Sequence, residues 1–180
     1  NLIKEITENI FMPFTVGGGV QSIEDIRLLL KNGADKVAIN TAAFHDKNFI
    51  KDAVKNFGSQ CIIVSVDYKK TNGEEVVFTN SGKNNTKKNL YEYLKEINEL
   101  NIGEVLLTSI DRDGTMQGYD IEVVEKANKF LKAPIIASGG ARDYQDMFDL
   151  IQKTKINAIA AASIYHFKNQ TPKLAKNFLK

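Results

Sequence analysis

The stretch MPFTVGGGVQSIEDI sets Gly17, Gly18 and Gly19 in a row between a short apolar run and a helical stretch. Three glycines strip every Cβ from that junction and cost roughly 0.5–1 kcal/mol each in chain entropy, so something there needs a bare backbone. Two readings stand side by side. One is a tight strand-to-helix turn; the other is an anion seat, in which backbone N–H groups face a phosphate that side chains would block. Asp67 directly follows the apolar run CIIVSV. A carboxylate at such a strand end suits general acid/base catalysis, with partial burial tuning it toward the working pH. The plainer alternatives are a helix cap or an ion pair with Lys69. Asp111 and Asp113 flank Arg112 in TSIDRDGT, where an acidic neighbour pairing with the arginine is expected. An Asp-x-Asp pair without clustered His, Cys or further carboxylates is poor support for a metal, so no metal and no cofactor are expected. His45 and His166 read as packed or solvated side chains. GGGV lacks both the Walker and the dinucleotide spacing, and no nucleophile elbow is present.

These residues must be positioned by the elements around them. Six continuous apolar runs, Pro13–Val16, Lys36–Ile39, Cys61–Val66, Glu104–Thr108, Pro134–Ala137 and Ala158–Ala162, read as strands buried on both faces. Between them, Ser22–Asn32, Asp46–Phe57, Lys87–Leu100, Ile121–Leu131 and Tyr144–Lys153 carry helical spacing. The alternation predicts an α/β fold with a parallel sheet and right-handed crossovers. Residues 73–81 (GEEVVFTNS) interrupt it with a hairpin inserted after the third strand. There is also an internal repeat: VGGGV (16–20) lies over ASGGA (137–141), and the same offset lays Thr41–Ala43 over Ala162–Ile164. Such a twofold pattern fits a barrel of two similar halves, each holding one anion. Ligands of α/β folds sit at the carboxyl ends of strands, and here those ends carry Gly17–Gly19, Asn40–Thr41, Asp67, Ser109–Asp113, Ser138–Gly140 and Ser163.

The 180 residues suffice for one domain, 1–180, with one sizeable core. A net charge of +2, with only three arginines among 24 basic residues, gives no footprint for nucleic acid. Cys61 is the single cysteine, which excludes a disulfide framework and suits a reducing, cytoplasmic setting. No apolar stretch is long enough for a membrane span.

Taken together, PFTVGGGV, GADKVAINTAA, FGSQCIIVSVD, EVLLTSIDRDGTMQGYD, PIIASGGA and AAASIYHF resemble the cyclase subunit of imidazole glycerol phosphate synthase, over essentially the whole chain. LLTSIDRDGT and FGSQ separate that family from its sister barrel, the isomerase of the same pathway. The resemblance implies a (β/α)8 TIM barrel with two phosphate sites. It implies a glutaminase partner whose ammonia passes through the barrel, and a small bis-phosphorylated substrate that is cyclised. By the same resemblance Asp67 is a general acid/base; Gly18, Gly19, Asn40 and Thr41 form one phosphate seat, and Gly114, Gly139, Gly140, Ala162 and Ser163 the other. Ser81, Thr108 and Asp113 line the substrate pocket, Lys36 and Glu104 belong to a charged ammonia gate, and Asp35 lies beside the glutaminase docking surface. The family's first two strands, with a second catalytic aspartate, would precede Asn1. The chain therefore reads as an N-terminally truncated barrel of six strands, expected to be weak or inactive alone. Two rivals are an amidino-sugar paralogue with the same ammonia logic and a non-catalytic activator of a glutaminase.

Overall fold

Helices begin where side chains satisfy the first free N–H groups. The computed structural model describes residues 2–180. Ser22 opens helix α2 (Ile23–Lys31) with a reciprocal capping box: its hydroxyl accepts from Asp25 N, and the Asp25 carboxylate accepts from Ser22 N and Gln21 N. These backbone donors hold the Asp25 pKa below its ordinary value. Asp46 caps α4 (Lys47–Phe57), Asn89 caps α5 (Leu90–Asn98) and Asp143 caps α7 (Tyr144–Thr154). Helix α6 spans Ile121–Asn128, and short helices α1 (Leu2–Thr7), α3 (Thr41–His45), α8 (Ser163–Phe167) and α9 (Pro172–Phe178) complete the set.

The six apolar runs form a parallel sheet. Its strands are β1 (Thr15–Gly17), β2 (Lys36–Ile39), β3 (Ile62–Thr71), β6 (Glu104–Ser109), β7 (Ile135–Ser138) and β8 (Ala158–Ile159), neighbours in that order. The sheet curls with helices alternating along it, the architecture of part of a (β/α)8 barrel. Burial alternates along β2 and β6, which differs from the expectation that both faces are buried. Val37, Ile39, Val64, Val66, Val105 and Leu107 are covered by the helix layer, together with Ile26, Ile50, Leu90, Leu94 and Ile97. The intervening residues, among them Ala38, Ser65 and Leu106, line an open concave face. Parity decides this, because successive side chains of a strand point to opposite faces.

The predicted hairpin is larger than expected. β3 continues through Asp67 to Thr71, turns at Asn72–Gly73, and returns antiparallel as β4 (Glu74–Thr79), which pairs in turn with β5 (Asn84–Asn89). Residues 87–89, predicted as helix, are therefore strand. The polar NNTKKN pairs because β4 offers it an edge, and α5 begins only after the Asn89 cap. Glu96 anchors the root of this arm, accepting Lys47 Nζ at 2.5 Å and Lys88 Nζ at 2.8 Å, which holds its own pKa low. Cys61, expected inside the core, is half-buried at the foot of β3. No helix among the described residues is long and apolar enough to cross a membrane.

Candidate functional site

The carboxyl ends of the strands open onto two cavities. The larger, about 890 Å³, is walled by Gly17–Gly19 after β1, Asn40 and Thr41 after β2, Ser65 and Asp67 on β3, and Asn80 and Ser81 at the tip of the arm. The smaller, about 140 Å³, is walled by Asp113 and Gly114 after β6, Ser138–Ala141 after β7 and Ala160–Ser163 after β8. The predicted seat residues thus separate into the two predicted groups. Asp67 and Ser81 lie with the first group and Asp113 with the second.

Asp67 points to the concave face by the same parity as Ser65, two residues earlier. Its register neighbours are Phe78 on β4 and Thr108 on β6, and Thr108 in turn pairs with Ser138. Thr108 therefore stands between the strand end carrying Asp67 and the one leading to the second cavity. Burial pushes the Asp67 carboxyl above its ordinary pKa; the Asn40 side chain offsets part of this, and the charge of Asp113 adds to it. The ion pair between Asp67 and Lys69 is not formed. Lys69 turns to Asp111 (3.8 Å), and the Asp111 carboxylate also accepts Lys70 N at 2.8 Å. Arg112 likewise differs from expectation, reaching neither neighbouring aspartate. It donates to Gly118 O (3.1 Å) and lies 3.9 Å from Asp120, bracing the loop after β6. Asp113 is thereby left to the small cavity.

That loop packs closely against the one after β7. Gly118 N donates to Gly140 O at 2.7 Å, and a Cβ at Gly140 would stand 2.2 Å from Gly118 O. At Gly18, Gly19 and Gly114 an added Cβ would meet nothing within 4 Å, and all three have positive φ. At the opposite end of the sheet, Lys36 and Glu104 form an ion pair of 2.7 Å from the first residues of β2 and β6. Asp35 is engaged within the chain, its carboxylate accepting Phe14 N at 2.7 Å.

Among the wall residues of the large cavity that sequence reasoning missed are Gln21, His45, Ser65 and Asn80. Ser65 carried a usable signal, since period two puts it on the Asp67 face. Asn80 carried none, because only the folded arm brings residue 80 to residue 41. His45, expected to be packed or solvated, is exposed on the wall beside Thr41, its ring edge-on to Phe44 at 5.4 Å.

Comparison with known proteins converges on one group. The family model for the histidine biosynthesis protein matches residues 1–171. The imidazole glycerol phosphate synthase subunit HisF of Hydrogenobaculum sp. (strain Y04AAS1) is 43% identical over 181 residues, covering 100% of this chain and 72% of that protein. The same subunit from Flavobacterium johnsoniae is 42% identical over 180 residues, again covering 100% and 72%. That from Natranaerobius thermophilus is 42% identical over 178 residues, covering 99% and 71%.

Proposed function

Because the chain belongs to the histidine biosynthesis protein family, we propose that it carries the cyclase reaction of imidazole glycerol phosphate synthase. In this reading ammonia from a partner glutaminase is joined to a bis-phosphorylated phosphoribulosyl-formimino aminoimidazole carboxamide ribotide. The products are imidazole glycerol phosphate and the aminoimidazole carboxamide ribotide.

The observation that carries the reading is one carboxyl of raised pKa on the wall of the larger of two separate glycine-floored cavities. A substrate with a phosphate at each end needs two anion seats with the reacting atoms between them. Gly18, Gly19, Asn40 and Thr41 take one phosphate, and Gly114, Gly139, Gly140, Ala162 and Ser163 take the other, while Ser81, Thr108 and Asp113 contact the middle. Holding both ends converts the attack of ammonia into a reaction of fixed geometry. Asp67 moves the protons of ring closure. Its raised pKa keeps an acid fraction nearer neutrality and makes the ionised form a stronger base. Lys36 and Glu104, paired across the opposite end of the sheet, are the charged gate through which ammonia enters.

Steady-state cyclisation with ammonium salts tests the reading. Assayed in a chain of the relatives' full length, Asp67→Asn should remove ammonia-dependent turnover while leaving any activation of the glutaminase intact; unchanged turnover would sink it. Two seats also speak against the amidino-sugar alternative, whose substrate needs a different second site. Failure of the bis-phosphorylated substrate to bind would reverse that preference.

A further inference from the structure

The turn that joins β4 to β5 holds three consecutive residues in the left-handed region, Asn80 (φ 52°), Ser81 (φ 56°) and Gly82 (φ 75°). L-residues avoid that region, asparagine less than most, so the surroundings must hold the turn in place. It is closed from within by Lys83 N, which donates to Thr79 O at 3.1 Å and Asn80 O at 3.3 Å. Its two ends rest on different parts of the sheet. Asn80 N donates to Thr41 Oγ1 at 3.0 Å. Gly82 lies against Ile110 in the loop after β6, where an added Cβ would stand 3.3 Å from Ile110 Cδ1. Ile110 N is itself bonded to Tyr68 O at 2.9 Å, beside Asp67. The turn is thus a strap from α3 to the loop after β6, passing the strand end that carries Asp67.

We infer that the main chain of Asn80 orients the Thr41 hydroxyl toward an incoming phosphate, which makes Asn80 a positioning residue of the first seat. The inference rests on the reading of Thr41 as a phosphate ligand. A threonine hydroxyl has one proton and two lone pairs. The Asn80 N–H occupies the oxygen as acceptor, and among the described residues the Thr41 hydroxyl donates to no protein group. Its proton is therefore free for an anion in the cavity whose wall both residues form. The left-handed φ of residue 80 turns the chain back directly after that N–H, a conformation asparagine tolerates better than most residues.

Titration of the chain with inorganic phosphate, followed through the amide resonance of Gly19, tests the assignment. Asn80→Gly keeps both the N–H and the backbone conformation and should bind like the wild type. Asn80→Val, whose branched Cβ resists positive φ, should weaken binding about tenfold, as should Thr41→Val, and the double variant should lose no more than either. Asn80→Ala serves the same purpose if the valine variant does not fold. The amide of residue 80 should be protected from hydrogen exchange in the wild type and in Asn80→Gly, and exposed in Thr41→Val. If Thr41→Val weakens phosphate while Asn80→Val does not, or if the two losses add, the positioning role is overturned and the seat survives. If Thr41→Val leaves phosphate binding unchanged, the seat itself is wrong.

Discussion

Gly18–Gly19 after β1 and Gly139–Gly140 after β7 occupy matching places in the two halves of the sheet, all four at φ between 72° and 102°. Their surroundings differ. A Cβ at either residue of the first pair meets no atom within 4 Å, whereas one at Gly139 would stand 2.7 Å from Ser109 O and one at Gly140 2.2 Å from Gly118 O. The first pair faces an open cavity of about 890 Å³, and the second is pressed between loops around one of about 140 Å³. One sequence signal therefore has two physical causes. At the first pair glycine leaves open space at positive φ; at the second it lets one loop close on another. Loss of a glycine should accordingly read as binding at one site and as stability at the other.

The largest effect is expected at Asp67, which in the proposed function moves protons and binds neither phosphate. In a chain of the relatives' full length, Asp67→Asn should lower cyclisation by about 10²–10⁴-fold with phosphate binding at both cavities retained; loss of binding at the first alone would make Asp67 part of the phosphate site there. The same variant carries a pH signature. The folded-state pKa lies above the unfolded one, so the folded protein binds more protons between the two values. Wild-type stability therefore falls as pH rises from the ordinary carboxylate range through the folded value. Asparagine has no such proton, so Asp67→Asn should be the more stable protein at neutral pH, with the gap closing in acid. Urea titrations at both pH values would measure it.

Gly140→Ala comes next, with a stability loss of about 3 kcal/mol from the collision with Gly118 O together with the strained φ. Arg112→Ala should cost about 1–2 kcal/mol by freeing Gly118 O and loosening the same loop, and should weaken phosphate at the second cavity but not the first. Gly19→Ala should cost only about 1 kcal/mol, from φ alone, yet weaken phosphate at the first cavity. Equal unfolding free energies for Gly140→Ala and Gly19→Ala would break the comparison.

Much of this was legible before any coordinates. The continuous apolar runs mark the six parallel strands, because a strand with a helix layer on one side and a barrel interior on the other carries few charges. The repeat of VGGGV in ASGGA marks the two glycine-lined cavities, and Asp67 stands out because a carboxylate seldom ends a buried strand without purpose. β5 was not legible. NNTKKN has the composition of a loop and becomes a strand only because β4 presents an unpaired edge to it. Nor was the partner of Arg112, which passes over its adjacent aspartates for Gly118 O because the loop folds back on itself.

The sequence alone determined which residues reach the carboxyl ends of the strands, since alternating strands and crossovers leave no other place for the segments that follow each apolar run. It also determined that two such places would be bare of side chains. Tertiary structure alone decided how closely each bare place is packed, how the arm bends to set Asn80 on Thr41, and that Asp67 keeps clear of Lys69. The last two depend on contacts between residues 39 to 41 positions apart in the chain, and composition and periodicity carry no record of such contacts.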